Sequence, residues 1–146
     1  MKPVVRAFFI VGAFCLPLLA QAADGMVKSA SGAVFVLRLG TKIPASEGFP
    51  LEAKDILETG ADGSVGITMK DNSRFSLGPN SRFAIEEFAF DPHAQRLALS
   101  GRISAGTLTF NSGEIGKLDP KRIRLTTPLG SIGVRGTSLL VHVPEP

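Results

Sequence analysis

The sequence predicts an all-β domain made of short stacked strands, arranged either as a β-solenoid or as a two-sheet sandwich. Apolar and polar residues alternate in short runs through residues 27–143, and Gly, Pro, Asn and Asp stand between the runs. No part of this region keeps the apolar period of an amphipathic helix over several turns. A short segment also occurs twice, as a stack of similar β-units requires.

The beginning of the chain predicts a cleavable export signal. Lys2 and Arg6 precede an apolar run at residues 7–19, and small residues follow up to Ala22. We therefore expect a signal peptide at residues 1–22, with cleavage near Ala22.

The rest of the chain is expected to be one β domain at residues 23–146, without a membrane span, in the periplasm or secreted. The apolar run of the signal is shorter than the roughly 20 residues that cross a bilayer. Cys15 lies inside that run, so we interpret it as part of the signal rather than as a lipidation site. Residues 23–146 contain no cysteine, and the domain must depend on its core without disulfides.

The charge of the mature chain argues against nucleic-acid binding. Lys2 and Arg6 leave with the signal, so 16 basic residues become 14 against 13 acidic ones, and the net charge falls from +3 to +1. Binding to phosphate backbones depends on a concentrated excess of Lys and Arg. One dense basic cluster exists, and we interpret it as a solvated face, with contact to an anionic surface as the alternative: Lys117, Lys121, Arg122 and Arg124.

Strands are predicted, in chain order, at residues 33–39, 64–69, 74–77, 82–88, 96–99, 107–110, 122–126 and 138–143. Turn signals separate them at Asp62-Gly63, Lys70-Asp71-Asn72, Gly78-Pro79-Asn80, Asp91-Pro92, and Thr127-Pro128 with Gly130. Strict alternation within 107–110 and 122–126 assigns one set of side chains to the buried side: Leu108, Phe110, Ile123 and Leu125.

The repeated segment predicts two successive β-units. Residues 72–77 read NSRFSL, and residues 80–85 read NSRFAI. In each copy we expect Asn to begin a turn, Arg to face outward, and Phe with the following aliphatic residue to face inward. An ordinary meander of hairpins would produce the same pattern, so solenoid and sandwich both stay open.

No catalytic or metal-binding arrangement is recognisable, and we expect neither enzymatic activity nor a cofactor. His93 and His142 are the only histidines, and no G-x-S-x-G motif is present. The glycine-rich stretch at residues 130–137 lacks the spacing of phosphate-binding loops. Glu86 and Glu87 are adjacent, so on a strand they point to opposite faces and cannot act on one substrate atom.

Binding through a strand edge remains possible for such a chain. Without Trp or Tyr the domain lacks the usual stacking platforms for sugars or bases. The phenylalanines after the signal are expected in the core, with Phe88 and Phe90 the most exposed. An unpaired strand edge could accept an extended partner segment through backbone hydrogen bonds.

Taken together, several motifs resemble the FecR domain, the periplasmic part of FecR-like regulators of iron-uptake signalling. The resemblance runs over residues 27–143, and its cues are Gly32-Ala33-Val34, Leu51 with DILETG at 55–60, SVGITMKDNS at 64–73, LGPNSRF at 77–83, and TTPLGSIGVRGT at 126–137. This resemblance implies a β-rich domain that senses or scaffolds by protein contact and has no catalytic role.

In those regulators a cytoplasmic anti-sigma segment and a membrane helix precede the domain, whereas here the predicted signal stands in their place. We therefore expect a free-standing exported module that binds an envelope or periplasmic protein. The alternative is a structural component of the envelope associated with polysaccharide or peptidoglycan.

The closing family segment is the candidate contact site. For Arg135 we expect a guanidinium that satisfies backbone carbonyls and fixes the last strand in register, with a partner contact as the alternative. The glycines are expected to give the loop backbone freedom. The candidate residues are Thr127, Pro128, Gly130, Gly133, Arg135, Gly136 and Thr137.

Overall fold

The computed structural model describes residues 23–134 and 138–144, which form one curled sheet of 12 strands. The strands are β1 Gly25–Ser31, β2 Val34–Arg38, β3 Thr41–Pro44, β4 Pro50–Leu51, β5 Ile56–Thr59, β6 Ser64–Met69, β7 Arg74–Leu77, β8 Arg82–Asp91, β9 Arg96–Asn111, β10 Ile123–Thr127, β11 Gly130–Gly133 and β12 Ser138–Val143. A short helix, α1 Glu114–Leu118, and a 3₁₀ turn, Pro120–Arg122, connect β9 to β10. The prediction of an all-β fold is confirmed.

The long strand β9 belongs to two halves of this sheet. Its residues 96–105 pair with β8, and residues 99–102 also pair with β10. Its residues 106–111 pair with β12, and residues 108–111 also pair with β7. We call half A the strands β4, β1, β6, β7, residues 106–111 of β9, and β12. Half B comprises β3, β2, β5, β8, residues 96–105 of β9, β10 and β11.

Glycine permits the change of partners along β9. Gly106 has a φ of +88°, which disfavours other residues, and a Cβ at this position would overlap Ser81. The rings of Phe75 in half A and Phe83 in half B then meet with centroids 4.9 Å apart. The buried side chains of both halves form one continuous core.

The strand pairing corresponds to a folded-over antiparallel sheet rather than to parallel solenoid coils. Among the described residues the pairs are antiparallel, except that β10 runs parallel to β9. Helix α1 and the 3₁₀ turn produce this exception, because they carry the chain back before β10 begins.

Several strand bounds agree with the prediction, and others do not. Residues 64–69, 74–77 and 138–143 form strands as predicted. The predicted strands at 96–99 and 107–110 are parts of the single strand β9, because alternation continues between them with Ile103 buried. Strands β1, β3, β4, β5 and β11 were not predicted.

The two copies of the repeat occupy different halves. Strands β7 and β8 do not form adjacent hydrogen-bonded units, since each pairs with a different part of β9. The buried and exposed positions expected in each copy are confirmed, but each Asn ends a turn instead of beginning one. Asn72 and Asn80 have φ values of 67° and 51°, typical of turns, and the Phe residues are buried while the Arg residues are exposed.

The serines of the repeat, to which the sequence assigned no role, also play equivalent parts. Ser73 Oγ accepts the Gly113 N–H, and Ser81 Oγ accepts the Thr107 N–H, each at 3.0 Å. The second copy is therefore hydrogen-bonded to the start of the 106–111 segment of β9, at Thr107. The first copy is hydrogen-bonded just after the end of that segment, at Gly113.

A buried carboxylate fixes the start of helix α1. Asp71 is completely buried, and its side chain accepts hydrogen bonds from the Ser73 N–H at 3.0 Å, the Ser73 hydroxyl at 2.7 Å and the Ile115 N–H at 3.2 Å. Its backbone carbonyl accepts the Glu114 N–H at 2.7 Å. Two free N–H groups of the first helical turn, those of Glu114 and Ile115, are satisfied by this one residue, although it precedes the helix by more than forty positions.

The predicted buried positions Leu108, Phe110, Ile123 and Leu125 all lie in the core. The expected exposure of Phe88 is wrong, since this side chain is only 9% exposed, and Phe90 packs partly buried against the core. Phe88 lies opposite Leu99 on the neighbouring strand, and both side chains belong to the core. Within residues 23–134 and 138–144, no helix has the length and apolarity needed to cross a bilayer.

Candidate binding surfaces

Residues 127–133 of the candidate site form the end of β10, the turn that follows it, and β11. Thr127 ends β10, and its Oγ1 accepts the Leu129 N–H at 3.1 Å and donates to the Gly130 carbonyl at 3.3 Å. Gly130 has a φ of +141°, so the turn after Pro128 requires glycine. Gly133 has no positive φ and ends β11 as ordinary strand, so the backbone freedom expected of it is not used.

The last part of the candidate site lies outside the described residues. Arg135, Gly136 and Thr137 are in this part, and the role of Arg135 stays a prediction. The structure brings Thr127, Pro128 and Gly130 together in one tight turn, which leads through β11 toward β12.

Strands β11 and β12 form margins of the sheet. Among the residues that the structure describes, β11 pairs only with β10, and β12 pairs only with β9. Strand β11 has four residues, two of them glycines, whereas β12 has six. The longer free edge therefore belongs to β12.

The edge of β12 lacks the features that normally discourage strand addition. The opposite margin of half B, β3, carries Lys42 and Pro44. In half A, β4 begins with Pro50, and β1 is interrupted by an irregularity between Val27 and Ser29. Strand β12 reads SLLVHV, with no proline, no Lys, Arg, Asp or Glu, and no shift in register.

The side chains of β12 remain accessible. Leu140 points outward and is 69% exposed, and the inward residues Leu139, Val141 and Val143 are only partly buried. His142 is exposed, and its Nδ1 lies 3.0 Å from the Thr107 hydroxyl of β9. An apolar, uncharged strand thus stands at the margin of the sheet with one edge open.

Two of the four residues in the dense basic cluster of the sequence are paired with carboxylates. Lys117 contacts Glu114 at 3.0 Å, and Arg122 contacts Asp119 at 3.3 Å. The other two members, Lys121 and Arg124, line a shallow polar pocket of about 270 Å³ together with Glu87. These contacts support the interpretation of this cluster as a solvated face.

A second basic cluster was not found from the sequence. Lys28 of β1, Lys70 after β6 and Arg74 of β7 are exposed, and none of them has an ion-pair partner within the described part of the chain. Lys28 and Arg74 line one groove of about 430 Å³, and Lys28 and Lys70 line a neighbouring one of about 400 Å³. Because Lys28 is remote from the others in sequence, only the strand register reveals the cluster.

Among the described residues, the pKa of one group in half B, the guanidinium of Arg38, is clearly shifted. Arg38 donates to both oxygens of the buried Asp55 carboxylate, through Nε at 2.9 Å and Nη2 at 2.7 Å. This hydrogen bonding raises the pKa of Arg38, and the charges of Asp55 and Glu52 add to the effect while burial opposes it. The Arg38 side chain also bonds to the Pro50 carbonyl at 3.0 Å, so the pair ties β2, β4 and β5 together.

The residues considered for catalysis lie apart. His93 is in the exposed β8–β9 turn and His142 is on β12. Glu86 bonds to Arg102 at 3.1 Å, and Glu87 is exposed beside it where the β8–β9 register shifts. In residues 23–134 and 138–144 no group of His, Cys, Asp and Glu side chains is arranged to hold a metal ion.

Comparison with known proteins identifies the family. The FecR protein family model matches residues 55–145, which is more than half of the chain and includes β5 to β12. The first cues, Gly32-Ala33-Val34 and Leu51, precede this match, and the remaining cues lie within it. No curated protein matches the chain, and no solved structure matches it. The chain belongs to the FecR family.

Proposed function

We propose that this chain is an exported, non-catalytic sensing module that recognises another protein of the bacterial periplasm or envelope. In this proposal, a partner strand adds to the free edge of β12. Membership of the FecR family supports a role associated with regulation. The predicted signal peptide at residues 1–22 supports export.

The unprotected edge of β12 is the observation that carries the proposal. A strand laid beside β12 would bond to its outward N–H and C=O groups and would cover Leu140. Strand β3 carries Lys42 and Pro44 and β4 begins with Pro50, which reduce such pairing, and the margin at β11 is only four residues long. An exposed strand edge without such residues lowers solubility, because other chains can pair with it, unless a partner strand covers it.

The β10–β11 hairpin is a weaker candidate for the same contact. Leu129 at its tip is 98% exposed, but β11 has only four residues, and its outward edge is short. We therefore assign the main contact to β12 and leave to the hairpin a neighbouring, smaller one.

The experiment compares two matched substitutions of leucine by lysine. Leu140→Lys places a charge on the free edge of β12, while Leu39→Lys places the same charge at a 99% exposed turn of half B. Purified mature protein is immobilised and exposed to envelope extract, and captured proteins are quantified by mass spectrometry. We expect one protein in stoichiometric amount with the wild type and with Leu39→Lys, and about tenfold less with Leu140→Lys.

Equal capture by all three proteins would contradict the assignment to β12. If all three were retained on peptidoglycan without any captured protein, the alternative of a structural or polymer-associated envelope component would replace the proposal. Thermal unfolding of each variant verifies that Leu140→Lys is folded.

A further inference from the structure

The outer face of half A contains no acidic side chain among the described residues. The strands β1, β6, β7 and β12 and residues 106–111 of β9 read GMVKSAS, SVGITM, RFSL, SLLVHV and GTLTFN. Their inward positions are apolar, while the outward positions are mostly hydroxyl and amide side chains. The outward hydroxyl and amide residues are Ser29, Ser31, Ser64, Thr68, Ser76, Thr107, Thr109, Asn111 and Ser138.

The strand register arranges these side chains in rows across the sheet. One row runs through Met26, Thr68, Arg74, Asn111 and Ser138, and the next runs through Ser29, Gly66, Ser76, Thr109 and Leu140. Neighbours within a row are about 5 Å apart, and successive rows are about 7 Å apart. Such an array of rows can form many hydrogen bonds with an extended ligand that carries hydroxyl groups.

One side of this face carries concentrated positive charge. Lys28, Lys70 and Arg74 surround the two grooves that also include Thr68 and Asn72. The grooves contain a single acidic residue, Asp24, and its carboxylate accepts the Ala53 N–H at 2.9 Å. The positive charge of the three side chains is therefore available to a ligand.

The composition of the face selects among ligand classes. It exposes no Phe, Tyr or Trp ring for stacking on neutral sugars among the described residues. Its apolar outward residues, Met26 and Leu140, lie at opposite sides, so it lacks the apolar centre of a typical protein interface. Hydroxyl and amide groups beside three unpaired cations fit a polymer that combines hydroxyls with carboxylate or phosphate groups.

We propose that the outer face of half A binds an anionic polysaccharide. The cations Lys28, Lys70 and Arg74 contact the acidic groups of the polymer, and the row that contains Ser76 and Thr109 bonds to its hydroxyls. The cations lie on β1, after β6 and on β7, away from β12 at the margin of the sheet, and this proposal does not depend on the protein partner proposed above.

The test uses polygalacturonate as the anionic probe and its methyl ester as the matched neutral probe. The variant Lys28→Glu/Lys70→Glu/Arg74→Glu is compared with Arg96→Glu/Lys121→Glu/Arg124→Glu. The second variant makes the same charge change at exposed positions of half B and its connecting turn. Binding is measured by calorimetry at low and moderate salt, and folding by thermal unfolding.

We expect the wild type and the half B variant to bind polygalacturonate, and binding by the half A variant to fall at least about tenfold. The methyl ester should bind at least about tenfold more weakly than the acid form. The variant Ser76→Ala/Thr109→Val should weaken polygalacturonate binding about fivefold, since two hydrogen bonds are removed, and should leave linear polyphosphate binding unchanged.

Three results would overturn the proposal. The first is an equal loss of binding in the two charge-reversal variants, since it would indicate attraction by net charge alone. The second is equal binding of the methyl ester. The third is binding of linear polyphosphate as tight as that of polygalacturonate, which would identify the face as a site for polyanions rather than for glycans.

Discussion

The two halves of the sheet present their charges differently. On the outer face of half B, Glu58 contacts both Lys42 and Arg82, and Glu86 contacts Arg102. On the outer face of half A the cations have no acidic partner among the described residues, and hydroxyl side chains occupy most of the remaining positions. Exposed ion pairs add little stability, but they cancel the local field, so the surface around Glu58 and Glu86 offers little to a charged ligand.

The strands at the margins of the two halves also differ in charge and in proline content. The outermost strand of half B at one side, β3, carries Lys42 and Pro44, whereas β12 of half A is apolar and uncharged. Half A thus carries both proposed contact surfaces, whereas half B carries the Arg38–Asp55 pair, in which the carboxylate is buried and the guanidinium also bonds to the Pro50 carbonyl of β4. One continuous sheet can therefore carry faces and margins of different charge on its two halves.

The largest expected effect comes from breaking the connection between the halves at Gly106. In Gly106→Ala the new methyl group overlaps Ser81, and the φ of +88° is unfavourable for alanine. We expect the free energy of unfolding to fall by about 3 to 4 kcal/mol, measured by urea denaturation.

Gly40→Ala is the matched control for that substitution. Gly40 has a φ of +78°, but a Cβ there meets no atom within 4 Å. It should cost only about 1 kcal/mol, the strain term alone. Similar losses for both variants would show that the contact with Ser81 does not fix the junction.

A smaller effect is expected at the second connection, where helix α1 leads from half A to β10. Asp71→Ala removes the acceptor of the Ser73 and Ile115 N–H groups in a buried position. We expect a loss of about 2 to 3 kcal/mol, together with faster hydrogen exchange at Ile115.

Asp62→Ala serves as the control at another turn aspartate. Asp62 is exposed and accepts the Ala33 N–H at 3.2 Å, so its removal should cost at most about 1 kcal/mol. If the two variants were equally stable, the carboxylate of Asp71 would be no more than an ordinary turn acceptor.

Local features of the fold could be predicted from the sequence because they depend on neighbouring residues. Alternation placed Leu108, Phe110, Ile123 and Leu125 in the core, and Asn72 marked a turn. The continuity of β9 could not be predicted, because Gly101 and Gly106 resemble breaks between strands. In the structure, Gly101 leaves room for the ring of Phe83, and Gly106 accommodates the change of partners.

The candidate surfaces were only partly predictable for a related reason. The segment that forms the β10–β11 hairpin was recognised, and a free strand edge was expected in general terms. Which edge lacks protection depends on the order of strands in the sheet, as does the approach of Lys28 to Arg74. The role of Asp71 was equally hidden, since its carboxylate bonds to a residue 44 positions away.

The smallest expected effect on stability compares the two arginines of the repeat. Arg74 and Arg82 occupy the same position of the two copies, but Arg82 contacts Glu58 in half B, while Arg74 lies beside Thr68 and Asn111 on the face of half A. Arg82→Gln should lower the free energy of unfolding by about 0.5 kcal/mol, as expected for an exposed ion pair. Arg74→Gln should leave stability unchanged and weaken polygalacturonate binding, whereas Arg82→Gln should leave that binding unchanged. Thermal unfolding measures the stability of the two variants, and calorimetry measures their binding. If Arg82→Gln lost binding and Arg74→Gln kept it, half B would be the half that recognises the polymer, although Arg82 is paired with Glu58.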